Sequence, residues 1–246
     1  MSEDLRTSFH EQLEEIKQGV ARMSAGVTEL IPRATEILLD ADLESAEYVI
    51  LGDAEYDGKS LELETQAFQQ IALQAPVASD LRALVSAIKI LGDVERSADL
   101  CVNICKAARR IYGQELTPQL RGIIQKCSGQ ASLLFKEATE SYLNGDAVRA
   151  GALHDIDAYL DDLHRQFIQL IFESHAADRI DLQVAVQLAV VARFYERIGD
   201  HAVNVGEQTR YIVDGWVPDH PYEESGYSMQ SPTPGRSAEA VAADDD

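Results

Sequence analysis

The chain has 246 residues, 46% hydrophobic and 26% charged, which supports a sizeable packed core and excludes gross disorder. Its 42 acidic residues against 21 basic ones leave a net charge of −21, a surface that repels phosphate backbones and argues against nucleic-acid binding. No apolar run approaches the roughly 18 residues of a membrane span; the N-terminal MSEDLRTSFHEQ has no secretory character, and three cysteines (Cys101, Cys105, Cys127) are too few for a disulfide scaffold, so a reducing cytoplasm is expected.

Along the chain, Leu5, Phe9, Leu13, Ile16, Val20, Met23, Val27, Leu30 and Ala34 recur at steps of three and four, one stripe of a long helix over residues 1–40. Pro32 is expected to kink it, because proline removes a backbone hydrogen bond. A second helix is predicted over 41–73, stopping before Pro76, and a third over 79–111 with Ser79 as its N-cap. The fourth spans 118–143 and ends at Asn144-Gly145, the fifth spans 146–174, and the sixth runs over 180–213 before Gly215 and Pro218. Six helices, no strand and short connections predict an all-α protein with antiparallel neighbours. Residues 218–246, with four prolines and a terminal Asp244-Asp245-Asp246, read as a disordered acidic tail.

The chain resembles itself. At a spacing of 101 residues, Asp80-Leu81 matches Asp181-Leu182, Val85 matches Val186, and Glu95, Arg96, Asp99, Val102 and Asn103 match Glu196, Arg197, Asp200, Val203 and Asn204. The preceding helix matches at 104: Asp53 with Asp157, Asp57 with Asp161, Phe68 with Phe172. The difference of three falls in the hairpin loop, where length changes are tolerated. Two tandem three-helix bundles follow, one over 1–113 and one over 114–217.

Each repeat carries acidic pairs four residues apart on both arms of a helical hairpin, and residues at i and i+4 share one face. In an antiparallel hairpin, residues at equal height have a constant sum of residue numbers. Asp53 with Asp99 and Asp57 with Glu95 meet that condition; so do Asp157 with Asp200 and Asp161 with Glu196. Asn103 and Asn204 extend the same faces by one turn. Four carboxylates so close repel one another, and dry burial of even one unpaired charge is prohibitive. Solvent, raised pKa values or a bound cation would resolve the conflict, and hard cations prefer the oxygen donors of Asp, Glu and Asn. Two acidic metal sites are the sharper reading; a solvated acidic face answered by Arg96 and Arg197 is the competing one. The ligand set does not single out a metal. Lacking cysteine or paired histidine it supports structural zinc weakly, and divalent or ferric ions (iron, zinc, manganese or magnesium) remain open, with several ions sharing one cluster as a further option.

Pro76-x-x-x-Asp80-Leu81-Arg82, Glu95-Arg96-x-x-Asp99-x-x-x-Asn103 and Phe194-Tyr195-Glu196-Arg197-Ile198-Gly199-Asp200-His201-Ala202-Val203-Asn204 together resemble the PhoU family of bacterial phosphate-uptake regulators. The likeness covers nearly all of residues 1–213, and Ser97-Ala98 stands where the family usually shows Ile-Gly. It implies two three-helix bundles side by side, with metal ligands at Asp53, Asp57, Glu95 and Asp99, and at Asp157, Asp161, Glu196 and Asp200. It also implies a non-enzymatic, cytoplasmic and often dimeric protein that meets the membrane only through partners. The family couples the high-affinity phosphate ABC transporter to the sensor histidine kinase and represses the starvation response when phosphate is plentiful.

A carboxylate-bridged oxidase or hydrolase of helical-bundle type is the alternative. Asp161 and His164 form one acid-x-x-His pair, but the first repeat holds no second copy, which disfavours a di-iron oxidase. His201 points about 100° from Asp200 on its helix and is not expected to share its ligand role. Cys101 and Cys105 read as core packing. No Gly-rich phosphate loop or nucleophile elbow occurs, and no phosphate site is predicted from Arg96, Arg109, Arg110 or Arg197.

Overall fold

Helices begin and end where the chain supplies caps, as a computed structural model shows for residues 2–215, with side chains from residue 7 onward. The predicted tail, 218–246, lies outside the described residues. The helices are α1 (Ser2–Asp40), α2 (Leu43–Gln74), α3 (Ala78–Arg110), α4 (Pro118–Asn144), α5 (Ala147–Gly151), α6 (Leu153–Ala176) and α7 (Leu182–Asp214). Asp42, Thr117, Asp146 and Asp181 accept from the backbone N–H three residues on and cap α2, α4, α5 and α7. Gly145 and Gly215 close α4 and α7 at φ 60° and 70°, a left-handed conformation that glycine adopts without strain.

Two expectations need correction. Ser79 lies inside α3; Val77 occupies the N-cap and has no side-chain oxygen to offer. The predicted fifth helix is two, α5 and α6, joined at Ala152. There the chain runs against α7, and a Cβ on Gly206 would stand 3.0 Å from the Ala150 carbonyl oxygen. Pro32 lies within α1, whose helix runs on through it. A proline at 32 leaves the Thr28 carbonyl without its helical donor, and Ser132 of α4 supplies one, its hydroxyl donating to that oxygen at 3.0 Å.

Helices α1, α3, α7 and α4 pack in a ring, each against the next, with α2 flanking α1 and α3 and α6 flanking α4 and α7. The predicted α1 stripe faces inward: Phe9, Ile16, Val20, Met23, Val27 and Ala34 are buried, while Leu13 and Leu30 pack against the core from its edge. The largest wholly buried side chains are Tyr195, Phe135 and Phe167.

The two repeats meet about a pseudo-two-fold axis. Along α1 and α4 the hydroxyls pair as Ser24–Thr139 (2.5 Å) and Thr35–Ser128 (2.8 Å). Ser24 and Ser128, like Thr35 and Thr139, stand 104 residues apart, so the axis exchanges the two pairs. Thr28 and Ser132 have the same spacing and lie on the axis. Tyr195 joins this seam through its hydroxyl, 2.6 Å from that of Thr35. Helices α3 and α7 run antiparallel beside it. Their contacts Asp93–His201, Ser86–Gln208 and Arg82 with the Ile212 carbonyl share one residue-number sum, as an antiparallel register requires.

Candidate metal centres

The α2/α3 hairpin brings Asp53, Asp57 and Asp99 together: one carboxylate oxygen from each lies within 4.8 Å of the others. Asp53 is half-buried and the other two are exposed. Burial raises the Asp53 pKa, the charges of Asp99 and Asp57 push it further, and Lys106 opposes them. Glu95 stands beside this trio, partly buried, and accepts from the Ser60 hydroxyl at 3.0 Å. Asn103 is partly buried on the same helix.

The α6/α7 hairpin carries the matching acids on a deeper anchor, but among the described residues no three of them bring their oxygens within 4.8 Å of one another. A Cβ on Gly199 would fall 2.5 Å from Asp157 Oδ1 and 2.6 Å from Leu160 Cδ2. Only a glycine therefore lets Asp157 lie directly on the backbone of α7. Burial, reinforced by the charges of Asp161 and Asp200 and opposed by His154, lifts the Asp157 pKa from 3.8 to about 6. In the first repeat Ala98 takes the position of Gly199. Glu196 is paired through Oε1 with Arg193, while its Oε2 is buried with no hydrogen-bond partner. Asp161 is partly buried and Asp200 exposed. His164, between Asp161 and Arg193, is held below its usual pKa chiefly by burial and by the Arg193 charge.

Asn204 is turned elsewhere. Its amide donates to Asp93 Oδ1 at 3.2 Å, in the seam between the repeats. That oxygen also lies 2.9 Å from His201 Nδ1 and accepts from Arg96 at 3.0 Å. Burial alone would raise the Asp93 pKa; these three hydrogen bonds outweigh it and hold the carboxylate below its usual range. Arg96 thus answers Asp93 and not the first trio, and among the described residues Arg197 makes no ion pair. His201 faces away from Asp200, as its helical position predicts.

Sequence reasoning missed Asp93. The repeat held the signal: the axis exchanges the Asp93–His201 pair with Phe194 and Leu100, so one side of the seam is polar where the other is apolar.

Oxygen donors of this kind are the ones that hard cations prefer. Three oxygen donors converge in the α2/α3 hairpin; among the described residues no such group of three forms in the α6/α7 hairpin, which holds a half-buried acid with a raised pKa and, separately, an orphaned carboxylate oxygen. Among the described residues no helix is long and apolar enough to cross a membrane.

Comparison with known proteins agrees with the duplication. The family model described as PhoU domain matches twice, at residues 20–108 and 124–209. The phosphate-specific transport system accessory protein PhoU homolog 1 of Mycobacterium tuberculosis H37Rv is 35% identical over 215 residues, covering 87% of this chain and 96% of that protein. Two crystal structures share the fold. PhoU from Pseudomonas aeruginosa has a TM-score of 0.79 at 24% identity, over 85% of this chain and all of the other. The phosphate transport system regulatory protein PhoU from Streptococcus pneumoniae also scores 0.79, at 22% identity, over 86% of this chain and all of its own.

Proposed function

Because the chain belongs to the PhoU family, we propose that it is a metal-binding, non-catalytic regulator of phosphate uptake. In this reading it links the phosphate transporter to the sensor histidine kinase from the cytoplasm and restrains the starvation response when phosphate is plentiful. The observation that supports the metal part most directly is the convergence of Asp53, Asp57 and Asp99, whose carboxylate oxygens lie within 4.8 Å of one another on the α2/α3 hairpin. The donor set fits hard or borderline cations. Asp53, Asp57, Glu95 and Asp99 would hold them in one groove, and Asp157, Asp161, Glu196 and Asp200 in the other. Once bound, cations neutralise the mutual repulsion of the carboxylates and cross-link the two arms of each hairpin. The chain's own part is to hold those arms level, so that the surface offered to partners depends on both grooves being filled.

The raised pKa of Asp157 makes the metal reading testable by sign. The folded protein holds this proton more tightly than the unfolded chain does, so in metal-free protein this group favours folding below about pH 4. That contribution is lost as pH rises from 3.8 to about 6. Asp157→Asn removes the penalty. With solvent screening of a half-buried group allowed for, it is expected to stabilise metal-free protein by about 1 kcal/mol at pH 7, and by almost nothing near pH 4. With manganese or zinc in excess the order reverses: wild type gains melting temperature by mass action and the variant gains less. Melting curves with and without metal that show the same order at both pH values would refute the metal reading.

The regulatory part is tested in cells. Deleting the gene should raise phosphate-scavenging expression in phosphate-rich medium, and wild-type protein supplied in trans should lower it again. An unchanged reporter after deletion would remove this role.

A further inference from the structure

Helix α2 is apolar on two opposite sides. Its inner side, with Val49, Ala67 and the partly buried Tyr56 and Leu63, packs against α1 and α3, the only helices it touches among the described residues. On the side turned away from both, Leu51, Ala54, Gly58, Leu61, Thr65 and Phe68 follow one another at alternating steps of three and four, and every one is exposed. Leu51 is 70% exposed, Leu61 63% and Phe68 53%, so a largely apolar stripe faces water along about 27 Å of helix. The charged residues sit along its edges. In heptad terms Glu55 and Glu62 flank the stripe on one side and Asp57 and Glu64 on the other, with one lysine, Lys59, lying farther out and paired to Glu55. Gly58 stands in the middle of the stripe, and a Cβ there would meet nothing within 4 Å. A glycine inside a helix weakens it, and nothing in this chain requires one at that place; a second helix laid across it would. The internal repeat supplies a comparison. The same six places on α6, 104 residues on, hold Asp155, Ala158, Asp162, Arg165, Gln169 and Phe172, and Asp162 pairs with Arg165. The fold therefore does not demand an apolar outer stripe, and only the first repeat has one.

We propose that the outer face of α2 is a docking surface for an amphipathic helix of a partner protein, one that carries apolar residues at the same spacing and lysine or arginine along both edges. Charge decides among the occupants. A second copy of this chain would set Glu55, Glu62 and Glu64 against their equals. Residues 216–246 of this chain carry seven acids and one arginine and meet the same repulsion. An anionic lipid surface is repelled as well. A basic amphipathic helix meets the stripe with hydrocarbon and the edges with opposite charge, and its larger side chains fill the places over Ala54 and Gly58. This gives the regulatory reading above the chemistry of a partner contact and rests on that reading only for the contact's purpose.

The probe is a fluorescent synthetic peptide of about three heptads with leucine at the a and d places and lysine at e and g, whose like charges keep it from pairing with itself; its twin has glutamate at e and g. Titrated with the full-length protein, the lysine peptide should bind and gain helicity, and the glutamate peptide should not. Leu61→Glu and Phe68→Glu should each weaken binding by about tenfold or more, with the helical circular dichroism unchanged because both side chains are exposed. Phe172→Glu, at the matching place on α6, should leave binding unaltered. The titration is run in excess manganese and again with chelator. Binding in both conditions, or in manganese alone, supports the surface; binding that survives the chelator does so whether or not the metal reading holds, so the two fail separately. No binding of the lysine peptide in either condition, equal binding of the two peptides, or equal losses in Phe68→Glu and Phe172→Glu would overturn the inference. So would a wild-type dimer in sedimentation that Phe68→Glu separates, which would assign the face to a second copy.

Discussion

Replacing Asp93 by alanine is expected to lower the stability of the protein by about 3 kcal/mol, the range seen when one partner of a buried polar couple is removed. Asp93 is 6% exposed and His201 8%. Without the carboxylate, His201 keeps no partner on either nitrogen, because its Nε2 already has none, and the Asn204 amide loses its acceptor. Arg96 is half-exposed and returns to water at little expense. In a domain of this size the melting temperature should fall by roughly 10 °C. The pseudo-symmetry supplies the control. Asp93→Phe combined with His201→Leu copies the apolar residues that the axis places opposite, Phe194 and Leu100. Well-packed apolar residues often replace a buried polar couple without loss, so the double variant should recover most of the stability that Asp93→Ala forfeits. A double-mutant cycle by urea denaturation measures this. Additive losses in the double variant would show that the seam does not accept the transplanted pair.

Gly199→Val is the second large effect, and it reaches both stability and the second groove. Even the first carbon of the new side chain would overlap Asp157 Oδ1 at 2.5 Å and Leu160 Cδ2 at 2.6 Å. Leu160 is fully buried and has nowhere to go. Overpacking of this kind costs about 2 kcal/mol. It also pushes Asp157 off α7, out of the half-buried place that raises its pKa, so the pH-dependent loss of stability between 3.8 and about 6 should shrink in metal-free protein. Ala98 at the matching place in the first repeat shows that a small side chain can be accommodated where the hairpin is built around it. Gly199→Ala should therefore be milder than Gly199→Val. Equal effects, or none, measured by chemical denaturation would mean that the α6/α7 contact is looser than the structure shows.

Much of this molecule is legible in its sequence because helix periodicity and duplication are arithmetic. The α1 stripe, the helix ends at Pro118 and Gly145, and the levels of the paired acids all follow from spacing. Spacing fixes height along a helix but not rotation about it, and that is where the reading stops. Asn204 is level with the second groove yet turned toward Asp93. Glu95 has the right height but bonds Ser60. The break at Ala152 had only a weak local sign, Gly151, and the close approach of α7 there, which the missing side chain of Gly206 allows, is invisible to local spacing. The partner of the carbonyl that Pro32 strands was equally out of sight: Ser132 satisfies it, more than a hundred residues away. The hydroxyl pairs between α1 and α4 were within reach of the same 104-residue spacing, but serine and threonine draw less notice than aspartate.

The pseudo-two-fold axis has one last consequence. Two identical half-length chains joined along this seam would be obliged to make every change twice, so an aspartate at one end would bring another at the opposite end. A single polypeptide is free of that obligation. Covalent continuity lets the two halves keep a common shape while each acquires its own chemistry, and it fixes their one-to-one ratio without any dependence on concentration.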